Sequence, residues 1–434
     1  LISKRNCCAW RCMEKVMLRK GDKPSKEPTL SIGMILPKDL RKQLVITIPR
    51  KKNKIKIEAK SDYLLHKNSK KKEIIFKGSH KDDFFIIHSV PAGRGFHWEK
   101  TIDVKVAGDL RIKISNGYIF VINQIKLEQY LASVATSEMG SACPPALLEA
   151  QTIVARSWII AASEQKHSKI GIDACNDDCC QRYQGIANLT KKSKQASKKT
   201  LGQFLIFENE ICDTRYSKSC GGISENNENV WDELPKPYLR AIFDSPSKII
   251  PDLSNDQKLQ TWIKSPPDCY CGYKYINEKN LKKYIGKVDK KGAYFRWSVR
   301  FTQEEMTRTI NKKCDTSYEI ITSLKPIKRG ISGRITNLEI SGLENEKTRI
   351  VKLNSEYQIR DTLHPEFLYS SAFIIILDLD ENQIAKSITL KGAGWGHGVG
   401  LCQIGALGMA LSNKTSAEIL YHYFPSTKIK KLYD

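Results

Sequence analysis

The spacing of apolar residues changes near position 125. Upstream, from Ser31 to about Gln124, they fall in short runs broken by charge and Gly. Val45 to Ile48, Ile74 to Phe76, Phe84 to Ile87, Ile102 to Val106 and Tyr118 to Ile122 are each of strand length. Downstream, Leu127, Leu131, Val134 and Glu138 sit at offsets of 4, 7 and 11, which is one side of a helix. Gly140 ends that helix, and Pro144-Pro145 opens a second with a stripe of Leu147, Ala150/Gln151, Val154, Trp158 and Ala161. Residues 200–245 return to strands and turns, 246–330 is polar and Lys-rich, and strands resume from Ile331 through Leu390. A Gly-rich loop then leads into helices at about Leu401 to Leu411 and Ala417 to Tyr423. The pattern predicts an α+β fold. It has a flexible basic Cys-containing arm (1–29), a β-rich module (30–125), and a mixed helix and strand core in two parts (126–245 and 331–434). Residues 246–330 read as an inserted polar lobe.

At 434 residues and 41% hydrophobic, the chain is long enough for two to three domains with a substantial core. Its 26 Gly and 16 Pro lie below collagen-like or low-complexity levels, so fibrous and wholly disordered classes are excluded. The longest tight apolar string, Ala372 to Leu377, is strand-sized, so no membrane-spanning helix is expected. Residues 1–29 hold no apolar stretch of the secretory kind, so a leader is not visible in this chain, which begins at Leu1.

The formal charge of +24 predicts attraction to polyanions, including nucleic acids, anionic lipids and acidic wall polymers. Arg50-Lys51-Lys52, Lys70-Lys71-Lys72 and the stretch Lys191 to Lys199 read as solvated loops or tails. No zinc-finger, aromatic-RNP or helix-turn-helix signature accompanies the charge, so a nucleic-acid partner is not expected. Thirteen cysteines are an odd number, so full internal pairing is impossible. They cluster at Cys7/Cys8/Cys12, Cys175/Cys179/Cys180 and Cys269/Cys271.

Four segments could carry chemistry. Glu138 ends an apolar helical stripe, an expensive place for a carboxylate unless its pKa is raised or a partner is near. A protonated carboxyl there could donate to a leaving-group oxygen, as in glycoside cleavage; a frayed helix end would instead leave it in water. In Gly392-Ala393-Gly394-Trp395-Gly396-His397-Gly398-Val399-Gly400, Gly takes every second position, which suits unusual dihedrals or close approach of a ligand. No register completes a dinucleotide or P-loop motif. The loop offers Trp395 and His397, with Gln403 at the next helix start, and these suit a sugar ring or form a buried plug. Cys175, Cys179 and Cys180 with His167 upstream are compatible with zinc, with a disulfide such as Cys175–Cys180, or with free thiols. Tyr216-Ser217-Lys218-Ser219-Cys220-Gly221-Gly222 could contact a polar substrate, although such compositions are also ordinary turns.

Taken in order, these segments resemble the stage II sporulation protein D family, which includes amidase-enhancer-like proteins of the bacterial cell envelope. The resemblance runs from about residue 30 onward. It is carried by Tyr130 to Met139, Ala150 to Ser157, Cys180 to Gly185, Ser219 to Gly222 and Gly394 to Ala406. It implies a lytic transglycosylase that cuts peptidoglycan glycan strands between N-acetylmuramic acid and N-acetylglucosamine, leaves a 1,6-anhydro end and prefers strands stripped of stem peptides. It implies Glu138 as catalytic acid and base, and Arg156, Gln181, Tyr183, Tyr216, Lys218, Trp395, His397 and Gln403 as substrate-binding candidates. No cofactor is required, though zinc at the cysteine block is compatible with it. A cell-wall amidase is a candidate partner, and a non-catalytic glycan-binding or amidase-enhancing module is the alternative reading. Cys179 stands where family members often carry His, and Cys402 where Ser is common.

Overall fold

The structure is a computed structural model that describes residues 21–78, 83–95, 99–231, 233–247, 249–285 and 293–434. Most of the expected arm, with Cys7, Cys8 and Cys12, lies outside the described residues. The fold is α+β, as the pattern of apolar residues predicts.

Two antiparallel sheets form the N-terminal half. One is ordered Ala174–Cys175, Thr29–Ile35, Tyr118–Lys126, Asp109–Ser115 and Glu73–Phe76. The other is ordered Ser69–Lys71, Leu64–His66, Asn53–Ala59, Gln43–Ile48, Phe85–Ala92 and Lys100–Val106. Strand alternation points Ile32, Ile46, Ile57, Ile87, Val104 and Ile112 into one core. The short Ala174–Cys175 strand is an addition from far along the chain and pairs in parallel with Ile32 and Gly33.

Helix α1 (Leu127–Glu138) follows the last strand directly, and helix α2 (Pro145–Ala161) begins with its Pro at the first helical position, where a missing N–H costs nothing. Tyr130, Leu131 and Val134 of α1 join the sheet core. Ala135 and Met139, one turn on, join a second core built on Leu147, Ala150 and Val154 of α2. The Lys191 to Lys199 run is not a tail or loop: it forms helix α3 (Lys191–Lys199), capped by the Thr190 side chain accepting from Ser193 N–H. Its small residues Ser193, Ala196 and Ser197 are buried while the lysines face outward, an amphipathic pattern that residue polarity alone conceals.

The stretch 246–330, expected as a polar insertion, enters the second core through Leu259, Trp262, Cys269, Cys271 and Phe295. Its strand Arg296–Thr302 pairs antiparallel with Ala385–Ala393, which also pairs with Phe373–Leu379. Beside it, Ile320–Arg329, Ile335–Glu344 and Lys347–Leu353 make a meander. Helices Gln403–Leu411 and Ser416–Tyr423 pack into the second core, and the last strand, Lys428–Lys431, pairs antiparallel with Gln203–Phe207.

Candidate active site

Glu138 is the last residue of α1 and half-buried. Of the two ways to keep a carboxylate there, the fold supplies partners: Oε1 accepts the Arg182 backbone N–H at 2.9 Å and the Tyr216 hydroxyl at 3.0 Å. None of the described residues hydrogen-bonds Oε2. Lys218 Nζ donates to the Glu138 carbonyl at 2.8 Å, satisfying a carbonyl that a helix end leaves without an intrahelical partner and placing a cation at the negative end of the helix dipole. Burial, and then the Glu138 charge, push the Tyr216 hydroxyl well above its ordinary pKa, so it stays protonated and acts as a donor.

The Gly-rich loop reaches this carboxylate through backbone pairing. Tyr216 and Ser217 pair in parallel with Leu401 and Cys402, and Ser219 and Trp395 exchange N–H···O bonds at 3.1 and 2.8 Å. Such close approach requires Gly: Gly394 has φ +79°, and a Cβ there would lie 2.8 Å from the Ser219 carbonyl oxygen and 2.9 Å from the Cys220 backbone. Trp395 stacks on Tyr369 with centroids 4.5 Å apart and meets Tyr294 at 4.9 Å, making an aromatic platform. His397 accepts the Val399 N–H at Nδ1 and meets Trp231 edge-on. Burial, then Arg215, Arg360 and Arg334, hold its pKa well below 6.5, opposed by a hydrogen bond to the Tyr216 backbone. His397 is therefore neutral and ties the loop to Tyr216.

Four expected substrate contacts are buried in the frame instead. Arg156 is fully buried and grips Glu128 at 2.9 and 2.5 Å, also donating to the Gln203 carbonyl. Gln181 accepts from Tyr130 and donates to the Ala155 carbonyl, both within the core. Tyr183 donates to Asn123 and packs against Tyr130 with the rings tilted by 36°. Gln403 donates to Gln151. Each side chain is 1% exposed or less, so each builds the scaffold beneath Glu138 in place of facing a ligand. Sequence reasoning missed Arg182, whose contribution is a backbone N–H that no side-chain motif reveals, and Tyr294 and Tyr369, which are distant from Trp395 in sequence.

The cysteine block lies one step from the carboxylate, since Arg182 follows Cys180 by two positions. His167 Nε2 and the sulfurs of Cys175, Cys179 and Cys180 lie within 4.8 Å of one another, with Cys175 and Cys179 at 3.2 Å and Cys179 and His167 at 3.8 Å. All three cysteines are free thiols. Cys175 and Cys180, then His167, pull the Cys179 thiol below its ordinary pKa. One imidazole and three thiols match a structural zinc donor set, so the residues present fit that ion. Asp177 and Asn176 fasten the block to the sheets through Arg94, which also pairs with Asp39 at 2.7 Å.

Residues 115–207 match the sequence model of a family described as Stage II sporulation protein, and residues 225–400 match a domain of unknown function. An uncharacterized protein of Brachyspira hyodysenteriae is 26% identical over 326 residues, covering 75% of this chain and 72% of that protein. Stage II sporulation protein D of Bacillus subtilis is 24% identical over 326 residues, covering 71% of this chain and 76% of the other. The amidase enhancer of Bacillus subtilis is 23% identical over 319 residues, covering 69% of this chain and 40% of that protein.

Proposed function

As the chain belongs to the stage II sporulation protein D family, with a cell-wall-related role, we propose that it is a peptidoglycan lytic transglycosylase in which Glu138 is both acid and base. The observation that carries this reading is the asymmetry of the carboxyl group, with two donors on Oε1 and none of the described residues on Oε2. Because Oε1 is occupied as an acceptor, a proton on the carboxyl resides on Oε2, where it can be given away. Glu138 protonates the glycosidic oxygen as the bond to the anomeric carbon breaks, and the leaving sugar departs as an alcohol. The carboxylate then accepts the proton of the substrate's 6-hydroxyl as that oxygen bonds to the anomeric carbon. The internal nucleophile explains why a second nearby carboxylate, required by a retaining hydrolase, is dispensable. Tyr216 and the Arg182 N–H stabilise the ionised carboxylate between the two transfers, and the Trp395 and Tyr369 platform offers an aromatic face to a pyranose ring.

Zinc, if held by His167, Cys175, Cys179 and Cys180, supplies a cross-link and no chemistry in the reaction. It would fasten the segment that presents the Arg182 N–H. The excess positive charge would favour docking on anionic wall polymer, and it predicts salt-sensitive association. A location in the bacterial cell envelope, stripped glycan as substrate and an amidase as partner follow from the same reading.

The test is product analysis on defined glycan strands with and without stem peptides. The wild type is expected to release 1,6-anhydro-muramyl ends, and Glu138→Gln to keep its fold and lose release by about 10²–10⁴-fold. An active Gln variant would sink the mechanism. The similarity to an amidase enhancer supports one other reading, a glycan-holding module, which predicts binding without turnover by both chains.

A further inference from the structure

A second group of metal-compatible side chains lies in the core behind the Gly-rich loop, 40 residues or more of chain away from the His167 block by every ligand: Cys220, Asp244, Cys271 and Cys402. All four are buried, and their ligand atoms lie within 4.8 Å of one another. We propose that Cys220, Asp244, Cys271 and Cys402 form a tetrahedral structural zinc site.

The distances have the dimensions such an ion needs. Zinc–sulfur and zinc–oxygen bonds of about 2.3 and 2.0 Å at tetrahedral angles place neighbouring sulfurs about 3.8 Å apart and a sulfur and an oxygen about 3.5 Å apart. Cys220 and Cys271 sulfurs are 3.8 Å apart, and Cys220 Sγ lies 3.5 Å from Asp244 Oδ2. A disulfide would need about 2.0 Å, and all three cysteines are free.

The surroundings are those of bound thiolates. Gly222 N–H points at Cys220 Sγ, while the N–H groups of Cys220 and Gly405 point at Cys402 Sγ, at 3.2–3.4 Å. The Tyr423 hydroxyl donates to Asp244 Oδ1 at 2.6 Å, and the Cys271 N–H to Oδ2 at 3.0 Å. These are the outer hydrogen bonds that orient metal ligands. Asp244 is 0% exposed, no Lys or Arg among the described residues stands at ion-pair distance from it, and the His422 imidazole lies 3.8 Å away. A buried carboxylate so placed calls for a positive charge.

A divalent ion with three thiolates and a carboxylate is an anionic centre, and two guanidinium groups, that of buried Arg334 and that of half-buried Arg296, stand ready to balance it. Arg334 donates to the Cys220 carbonyl and Arg296 to the Gly221 carbonyl. Neither has a carboxylate at ion-pair distance among the described residues, and the Nε of each is buried without a hydrogen-bond partner. Binding releases the three thiol protons to solvent, and the ion changes no oxidation state.

The four ligands come from four segments of the chain that backbone hydrogen bonds bring side by side: Ser217 pairs with Cys402, the Asp244 N–H donates to the Gly222 carbonyl and the Tyr270 N–H to the Asp244 carbonyl. Cys220 follows Lys218 by two residues, Cys402 closes the Gly-rich loop and caps the Gln403–Leu411 helix, Asp244 belongs to the loop after Ser224, and Cys271 comes from the stretch expected as a lobe. One ion would thus lock the strand that carries Tyr216 to the end of the Gly-rich loop that carries Trp395.

The experiment uses the full chain, purified under reducing conditions from zinc-supplemented culture, with zinc measured by plasma mass spectrometry. The variant His167→Ala/Cys179→Ser disables the first cluster and is expected to retain about one zinc per chain. Adding Cys402→Ser should remove it. Retention after that addition, or no zinc in the double variant, overturns the proposal, as does a Cys220–Cys271 disulfide in the reduced chain. Should the Cys402→Ser chain fail to fold, the double variant loaded with Co²⁺ gives a readout that leaves the site untouched. Tetrahedral cobalt–thiolate bands are expected in its visible spectrum, and their absence overturns the assignment.

Discussion

The Tyr216 hydroxyl donates to Glu138 Oε1 at 3.0 Å. The two residues are 78 positions apart and are carried by different elements, the C-terminal end of α1 and the short Tyr216–Ser217 strand, which meet at the second core. This bond is the joint at which the fold becomes a site.

Removing that donor tests its role directly. Tyr216→Phe keeps the ring in place and deletes one hydrogen bond to a charged acceptor, worth about 1.5–3 kcal/mol. The turnover rate on glycan strands should fall about 10–100-fold with little change in KM. An unchanged rate would show that Tyr216 only fills space.

The aromatic platform should act on binding. Trp395→Ala removes the ring that stacks on Tyr369, and stacking of this kind contributes about 0.5–1.5 kcal/mol. Affinity of Glu138→Gln protein for long glycan strands, read by calorimetry, should drop about 2–10-fold when Trp395→Ala is added. No change would place the sugar elsewhere.

Arg156 belongs to stability. Arg156→Met leaves Glu128 without its cation inside the core, and breaking such a pair costs about 3–5 kcal/mol. The urea midpoint should fall markedly, while KM measured on the folded fraction stays as in the wild type. A selective rise in KM would restore Arg156 to substrate binding.

His397 gives acid sensitivity. Its pKa in the folded protein lies well below the ordinary 6.5 because of burial and the arginines around it. Below pH 6.5 the unfolded chain therefore binds a proton that the folded chain refuses, and stability declines as pH drops from there toward the depressed folded value. Urea unfolding across this range should show the decline, and His397→Gln should flatten it. An identical slope in the variant would assign the effect to other groups.

Much of this was legible in the residues, and the limits have physical causes. The α1 and α2 spans follow from apolar spacing plus Gly140 and Pro145, which are strong local signals. Glu138 stood out because a carboxylate breaks an otherwise apolar stripe. The sequence motifs predict Arg156, Gln181, Tyr183 and Gln403 at the ligand because polar residues in such motifs look alike whether they face a substrate or brace the frame. Only burial separates the two. The Lys191 to Lys199 run hid a helix because its inner face is made of Ser and Ala, whose small side chains carry little hydrophobic signal. The Cys220, Asp244, Cys271 and Cys402 group has no sequence spacing at all, since each ligand comes from a separate segment.

Helix α1 is shared property: Tyr130 and Leu131 are rooted in the sheets and Met139 in the helical half. Glu138 lies beside Met139, at the end of the helix that packs with the core against which Tyr216 also rests, so a shift of the sheets against the second core would bear on the helix while the acid and its tyrosine stay on one side of the seam.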